Sequence, residues 1–160
     1  GAIRHMAVTG DVLYSVQALM LIKKASLFPN SLNMSGLSID EIYIGQKASV
    51  SKTLTESDVY TYAGVIGDFN PVHVNEEYAK QTRFGGRIVH GMLTASFLST
   101  VFGMILPGAD AIYCGQTLKF TAPVSIGTTI TAEAEVIKII FVRPQLRVRM
   151  ALLLSKEKEQ

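Results

Sequence analysis

The sequence has a single cysteine, three histidines and no block of charge of one sign. One thiol excludes an intrachain disulfide and removes any reason to expect an oxidising compartment. Cys114 lies in the strand-like stretch IYCGQTLKF, where a buried, inert thiol is expected rather than a nucleophile. His5-Met6 in the opening GAIRHM has the form of a cloning scar, which leaves His73 and His90 as the histidines of the natural chain. These residues show no zinc-ligand spacing, and the acids form no calcium-loop pattern. No metal and no other cofactor are therefore expected.

Charge is also scarce, at 18% of residues with a formal net charge of +2. The cations are scattered and form no basic stripe, which excludes nucleic acid as a partner. The apolar run VLYSVQALMLI at 12–22 covers about half of the roughly 20 residues that a membrane-spanning helix needs, so no span is expected. It reads as a short signal core, an organelle-targeting helix or an added helix packed on the domain. Lys23 and Lys24 follow the run instead of preceding it, which opposes a secretory signal, and Asp11 opposes a transit peptide. The expected location is intracellular, with the cytoplasm as default and an organelle matrix left open. LFPNSLNMSG has linker composition, so residues 1–35 are read as scar plus extension and 36–160 as the domain, with Met34 as another starting point.

What is present is a core: 48% of the 160 residues are apolar, enough for one well-packed domain. A strand is expected over 48–54. Thr55 with Asp58 supplies a capping arrangement for a helix reaching about Val65, which Gly67 stops. Asn75 caps a second, short helix before the glycines of RFGGR. From Gly91 to about Met104 the chain reads GMLTASFLSTVFGM, without charge, and a helix apolar on every side is expected to be buried. Ala95, Ser96, Ser99 and Gly103 lack bulk and would let sheet and helix approach. In TTITAEAEVIKI, Ile130, Ala132, Ala134 and Val136 alternate with Thr129, Thr131, Glu133 and Glu135, and QLRVRMALLL repeats the period of two. The class is α+β: an antiparallel sheet around one long helix at about 91–104.

Two stretches can carry chemistry. GDFNPVH at 67–73 sets an acid, an amide and an imidazole around a proline turn. Turn hydrogen bonds alone would account for Asp68 and Asn70. The second stretch, IVHGML at 88–93, changes the balance, because Gly91 opens a helix whose first N–H groups are unpaired donors at the positive end of the dipole. Such donors suit a carbonyl oxygen that gains negative charge, and a glycine lets a ligand come close to the backbone. Together these parts fit proton transfer next to a thioester carbonyl, with Asp68 and His73 sharing acid and base work.

The run from about Leu54 to Lys138 resembles the MaoC-like (R)-specific enoyl-CoA hydratases and 3-hydroxyacyl-thioester dehydratases. The resemblance is carried by TYAGVIGDFNPVHVNEEYAKQTRFGGRIVHGMLTASFLS, LPG and IYCGQTLKFTAPVSIGTTITAEAEV. It implies a hot-dog fold, a homodimer, and hydration of trans-2-enoyl-CoA to (3R)-3-hydroxyacyl-CoA. It places the catalytic acid and histidine on Asp68 and His73, the oxyanion donor on the Gly91 N–H, a supporting hydroxyl on Ser99 and a turn-fixing amide on Asn70. For His90 it implies a structural place near the helix start. An acyl-carrier-protein thioester is the alternative to acyl-CoA as substrate. A hot-dog thioesterase and a non-catalytic acyl-thioester binding module are the competing functions. The family's sheet ends with a further strand, whereas this chain stops at SKEKEQ. The sheet is therefore expected to lack a strand or to be completed by another segment, for which 12–22 is a candidate.

Overall fold

The computed structural model describes residues 11–22, 36–109, 111–142 and 145–156, with backbone alone for 11–22, 141–142 and 145–156. Strands β1 (Asp11–Ile22), β2 (Lys47–Thr53), β3 (Ile112–Thr117), β4 (Thr129–Val142) and β5 (Gln145–Lys156) form one antiparallel sheet in the order β2-β4-β5-β1-β3. Helices α1 (Glu56–Ile66), α2 (Pro71–Val74), α3 (Glu76–Lys80) and α4 (Gly91–Met104) fall between β2 and β3 in the chain.

The alternation in β4 sorts its two faces. Ile130, Ala132, Ala134 and Val136 are fully buried with Leu98, Val101 and Phe102 of α4 in one core. Fully burying one large apolar side chain contributes about 1.5–3 kcal/mol, and the alanines let helix and strand approach. On the other face, Thr131 and Thr129 share hydrogen bonds of 2.7 Å with Ser51 and Thr53, and Lys47 lies 3.2 and 3.4 Å from Glu133 and Glu135. These cross-strand pairs hold β2 and β4 in register.

Local chemistry bounds α1 where the sequence indicates. Thr55 caps α1 by accepting from the Asp58 N–H, and the Asp58 carboxylate accepts the Thr55 N–H at 2.8 Å in return. That amide bond and the Lys52 ammonium hold the Asp58 carboxyl down at about 2. Gly67 closes α1 at φ 77°, a left-handed conformation that glycine adopts without strain. No helix among the described residues is long and apolar enough to cross a membrane.

Three expectations are corrected. Residues 12–22 belong to a strand, not a signal core or helix: β1 pairs with β5 on one side and β3 on the other, although it precedes the boundary placed near Gly36. A strand interior to a sheet can read as a continuous apolar run, which periodicity does not separate from a buried helix. The segment thus fills the strand position for which it was a candidate.

Helix α4 is buried on one face only. Leu93, Thr94, Leu98, Val101 and Phe102 face the core at helical spacing, while Met92, Ser96, Ser99, Thr100 and Gly103 are exposed. Of the small residues Ala95, Ser96, Ser99 and Gly103, only Ala95 is buried, and it joins Ala132 and Ala134 of β4 in allowing the close approach.

Cys114 is exposed, not buried. It lies on the edge strand β3, where its neighbour Tyr113 turns inward to meet Phe102 edge-on at 5.0 Å, so period-two alternation turns Cys114 to the opposite face.

Candidate active site

Three nested turns bring the site together. The Asp68 carboxylate accepts the Asn70 N–H through Oδ1 at 3.1 Å, which fixes the start of the loop after Gly67. Asn70 caps α2 by accepting the Val72 N–H at 3.2 Å, and Pro71, which has no N–H to satisfy, opens the helix. His73 is thereby carried back across the loop, where its Nδ1 lies 2.7 Å from the Ile88 carbonyl oxygen. The Ile88 N–H returns a bond to the Val72 carbonyl at 3.2 Å, and the Val89 N–H bonds to Val124 at 2.8 Å, so 88–89 is clamped between α2 and the segment before β4.

Arg87 ties the surrounding elements together. Its side chain is only 16% exposed, and the guanidinium donates to Glu56 at 2.6 Å, to Glu76 at 3.1 Å and to the Tyr60 hydroxyl at 3.0 Å. One side chain thus joins α1, α3 and the strand-like segment that supplies the Ile88 carbonyl.

Asp68, His73, His90, Gly91 and Phe120 line a common cavity of about 430 Å³. A carboxylate oxygen of Asp68 and one ring nitrogen from each histidine lie within 4.8 Å of one another. One water donating two hydrogen bonds of about 2.8 Å spans such a gap between the acid and an imidazole. Burial, countered by the Ile88 bond and the Asp68 charge and reinforced by His90, lowers the His73 pKa from its ordinary 6.5. Neutral His73 then holds its proton on Nδ1 and offers a lone pair at Nε2.

The same three residues are the convergent set that could ligate a metal among those described. Their hydrogen bonds oppose that use. His90 Nε2 is engaged with the Asp68 backbone carbonyl at 3.0 Å, its Nδ1 is sealed from solvent, and His73 Nδ1 is held by Ile88. A carboxylate and one imidazole nitrogen remain, fewer than the three protein ligands usual for catalytic zinc.

Gly91 and Met92 bring the start of α4 to the cavity wall, and His90, the N-cap residue, makes no side-chain capping bond there. The N–H groups of Gly91 and Met92, in the first turn, have no intrahelical acceptor, and both residues line the cavity. A Cβ on Gly91 would stand 2.9 Å from Cε1 of Phe120, so the space that glycine leaves is taken by this ring.

The structure brings Asp68, His73, Asn70 and Gly91 into one neighbourhood and leaves Ser99 apart. Ser99 lies eight residues further along α4, about 12 Å at 1.5 Å per residue, exposed and away from the cavity wall. His90 and Phe120 also line the cavity and Arg87 braces the elements around it, placements that the sequence reading did not anticipate. For His90 a signal existed: an imidazole directly before the glycine that opens an apolar helix is poorly suited to capping, so another reason must keep it there.

A family model described as the MaoC like domain matches residues 41–157. The chain belongs to the MaoC-like domain family. Among its relatives, an (R)-specific enoyl-CoA hydratase of Rhodospirillum rubrum is 54% identical over 101 residues, 63% of this chain and 70% of that protein. A mitochondrial 3-hydroxyacyl-[acyl-carrier-protein] dehydratase of Solanum lycopersicum is 35% identical over 120 residues, 75% of this chain and 72% of that protein. Among solved structures, the unliganded R-hydratase of Pseudomonas aeruginosa superposes with a TM-score of 0.63 at 34% identity, covering 77% of this chain and 88% of that one. The MaoC-like chain has the hot-dog fold, an antiparallel sheet packed on the long helix α4. Hydratase and dehydratase name the two directions of one reaction, and this MaoC-like protein is a hydro-lyase.

Proposed function

We propose that the protein hydrates trans-2-enoyl-CoA to (3R)-3-hydroxyacyl-CoA, and runs the dehydration in reverse. The observation that carries the reading is the placement of a carboxylate and an imidazole nitrogen within 4.8 Å, on a cavity whose wall includes the uncapped start of α4. A water between them donates to Asp68 and to Nε2 of His73. As its oxygen bonds to the β carbon, one proton passes to this pair and the C=C electrons move to the thioester oxygen, which the Gly91 N–H stabilises. Collapse of that enolate returns the electron pair to the α carbon, which takes the proton from the same side. Asn70 fixes the turn that presents Asp68. No resident metal or organic cofactor takes part.

An acyl-carrier-protein thioester offers the same reacting atoms, and the tomato relative's name describes that substrate. A second copy of the chain completes the reading. The uncovered face of α4, with Met92 at 48% and Met104 at 71% exposure, and the open edge of β3 are surfaces that a homodimer would cover. Ser99 lies on that face, so a supporting role for its hydroxyl would act where two copies meet.

The test mixes the protein with crotonyl-CoA, follows loss of the enoyl absorbance and determines the chirality of the product, with the carrier-protein ester compared in parallel. Formation of the 3R alcohol is expected. Release of free thiol from a saturated acyl-CoA would instead identify a thioesterase, and unchanged substrate a binding module. A solution mass of twice the chain is the expected size.

A further inference from the structure

His90 carries no proton in the reaction above, yet it is 2% exposed at the centre of the site. We propose that His90 is a positioning residue that holds the Asp68 backbone and the His73 ring in the mutual arrangement one water requires. The inference rests on the reading of Asp68 and His73 as the water-activating pair.

Its Nε2 lies 3.0 Å from the Asp68 carbonyl oxygen, and because a carbonyl only accepts, Nε2 must donate. The bond spans 22 positions and pins the loop on which the Asp68 carboxylate turns. In the neutral ring Nδ1 is then a bare lone pair, and it is buried without a partner. A residue kept for packing alone would avoid that cost with an apolar side chain. The ring itself stacks on His73, with centroids 3.8 Å apart and planes 29° from parallel, and Tyr62 of α1 meets it edge-on at 5.3 Å. His73 is thus held twice, at Nδ1 by Ile88 and across its face by His90, so the ring cannot turn without breaking one of these contacts. A donor aimed at one catalytic residue and a face laid on the other make His90 the common support of both.

Two polar variants separate positioning from packing. His90→Gln places an amide nitrogen near the position of Nε2, within reach of the Asp68 carbonyl, whereas the shorter His90→Asn places it near Nδ1, out of reach. Gln is expected to keep kcat within about tenfold of wild type. Asn is expected to lower kcat roughly a hundredfold, the scale of an ångström-sized misplacement, with KM changed less than about threefold. A general loss of packing or stability lowers both alike, so equal kcat values in the two variants overturn the proposal. Imidazole ¹⁵N spectra give a second reading that needs no activity. His73 is expected Nδ1-protonated in all three, held by Ile88, with its ring signals displaced and broadened in both variants, because neither Gln nor Asn supplies a ring face to stack on it. Identical His73 signals in all three overturn the proposal. If the wild type hydrates no enoyl thioester, the functional reading fails, and the nitrogen spectra alone decide the role of His90.

Discussion

The Nδ1 of His73 points at the Ile88 carbonyl oxygen from 2.7 Å, and this bond decides which nitrogen is left for chemistry. The carbonyl cannot donate, so Nδ1 keeps its proton and Nε2 is the acceptor. A backbone oxygen thereby does the orienting that a buried carboxylate performs for the histidine of a Ser-His-Asp triad.

Burial lowers the His73 pKa below 6.5, and the proposed reaction needs the ring neutral. The acid limb of kcat/KM for hydration is therefore expected below pH 6.5, not above it. The stability effect has the same sign. Unfolded His73 takes up its proton at the ordinary value while the folded ring resists, so this contribution is complete above 6.5 and is lost as pH falls below it. A pH–rate profile whose acid inflection lies above 6.5 would contradict a neutral His73 base.

Asp68→Asn and His73→Ala should each lower kcat by roughly a hundredfold to ten-thousandfold, the range for a general acid or base. In the proposed reaction both groups act on one water, so the double variant should lose much less than the product of the single losses. Steady-state kinetics on crotonyl-CoA checks both points. Multiplicative losses would mean that the two groups work independently.

Gly91→Ala inserts a methyl group 2.9 Å from the Phe120 ring, inside normal contact distance. Phe120 is 48% exposed, so the ring can move, and the expected damage falls on the cavity more than on the fold. KM should rise and kcat fall, with a stability loss of about 1–3 kcal/mol at most. Phe120→Ala in the same chain should restore part of kcat. No restoration would place the fault at the helix start itself.

Arg87→Lys should destabilise the protein by roughly 1–3 kcal/mol despite keeping the charge, because one ammonium cannot donate in the three fixed directions that reach Glu56, Glu76 and Tyr60. Thermal unfolding of the variant measures the effect. An unchanged midpoint would mean that the exposed glutamates contribute as little as ordinary surface pairs.

Much of this was legible because local chemistry and fold agreed. Thr55 with Asp58, Gly67 and Asn75 mark helix ends through hydrogen bonds that form within a few residues. Ile130 to Val136 show their strand period because one face is wet. That Asp68, His73 and Gly91 share one cavity was legible because the motif ties these residues to turn geometry. The misses depended on distant partners. No local pattern tells that Ile88 will meet His73, that Phe120 will lie over Gly91, or that His90 will reach the Asp68 carbonyl. The apolar face of α4 read as buried because sequence records that a surface avoids water, and not whether this chain or another copy covers it.

A chain beginning at Met34 matches the domain start suggested by the linker composition, but lacks β1. It should fail to form the native sheet, because β5 and β3 are joined through that strand. Circular dichroism and size-exclusion behaviour of the shortened chain measure this. A well-folded product of ordinary hydrodynamic size would show that β1 is dispensable.

The place of β1 also sets a timetable for biosynthesis. Asp11 pairs with Lys156 and Ile22 with Leu146, so β1 is made well before β5, the neighbour it pairs with. Until then an apolar stretch waits without its hydrogen-bond partners while helices and β2 emerge behind it. The sheet can close only once β5 has been made, and a nascent chain that stops short of residue 145 carries β1 without the strand that pairs with it.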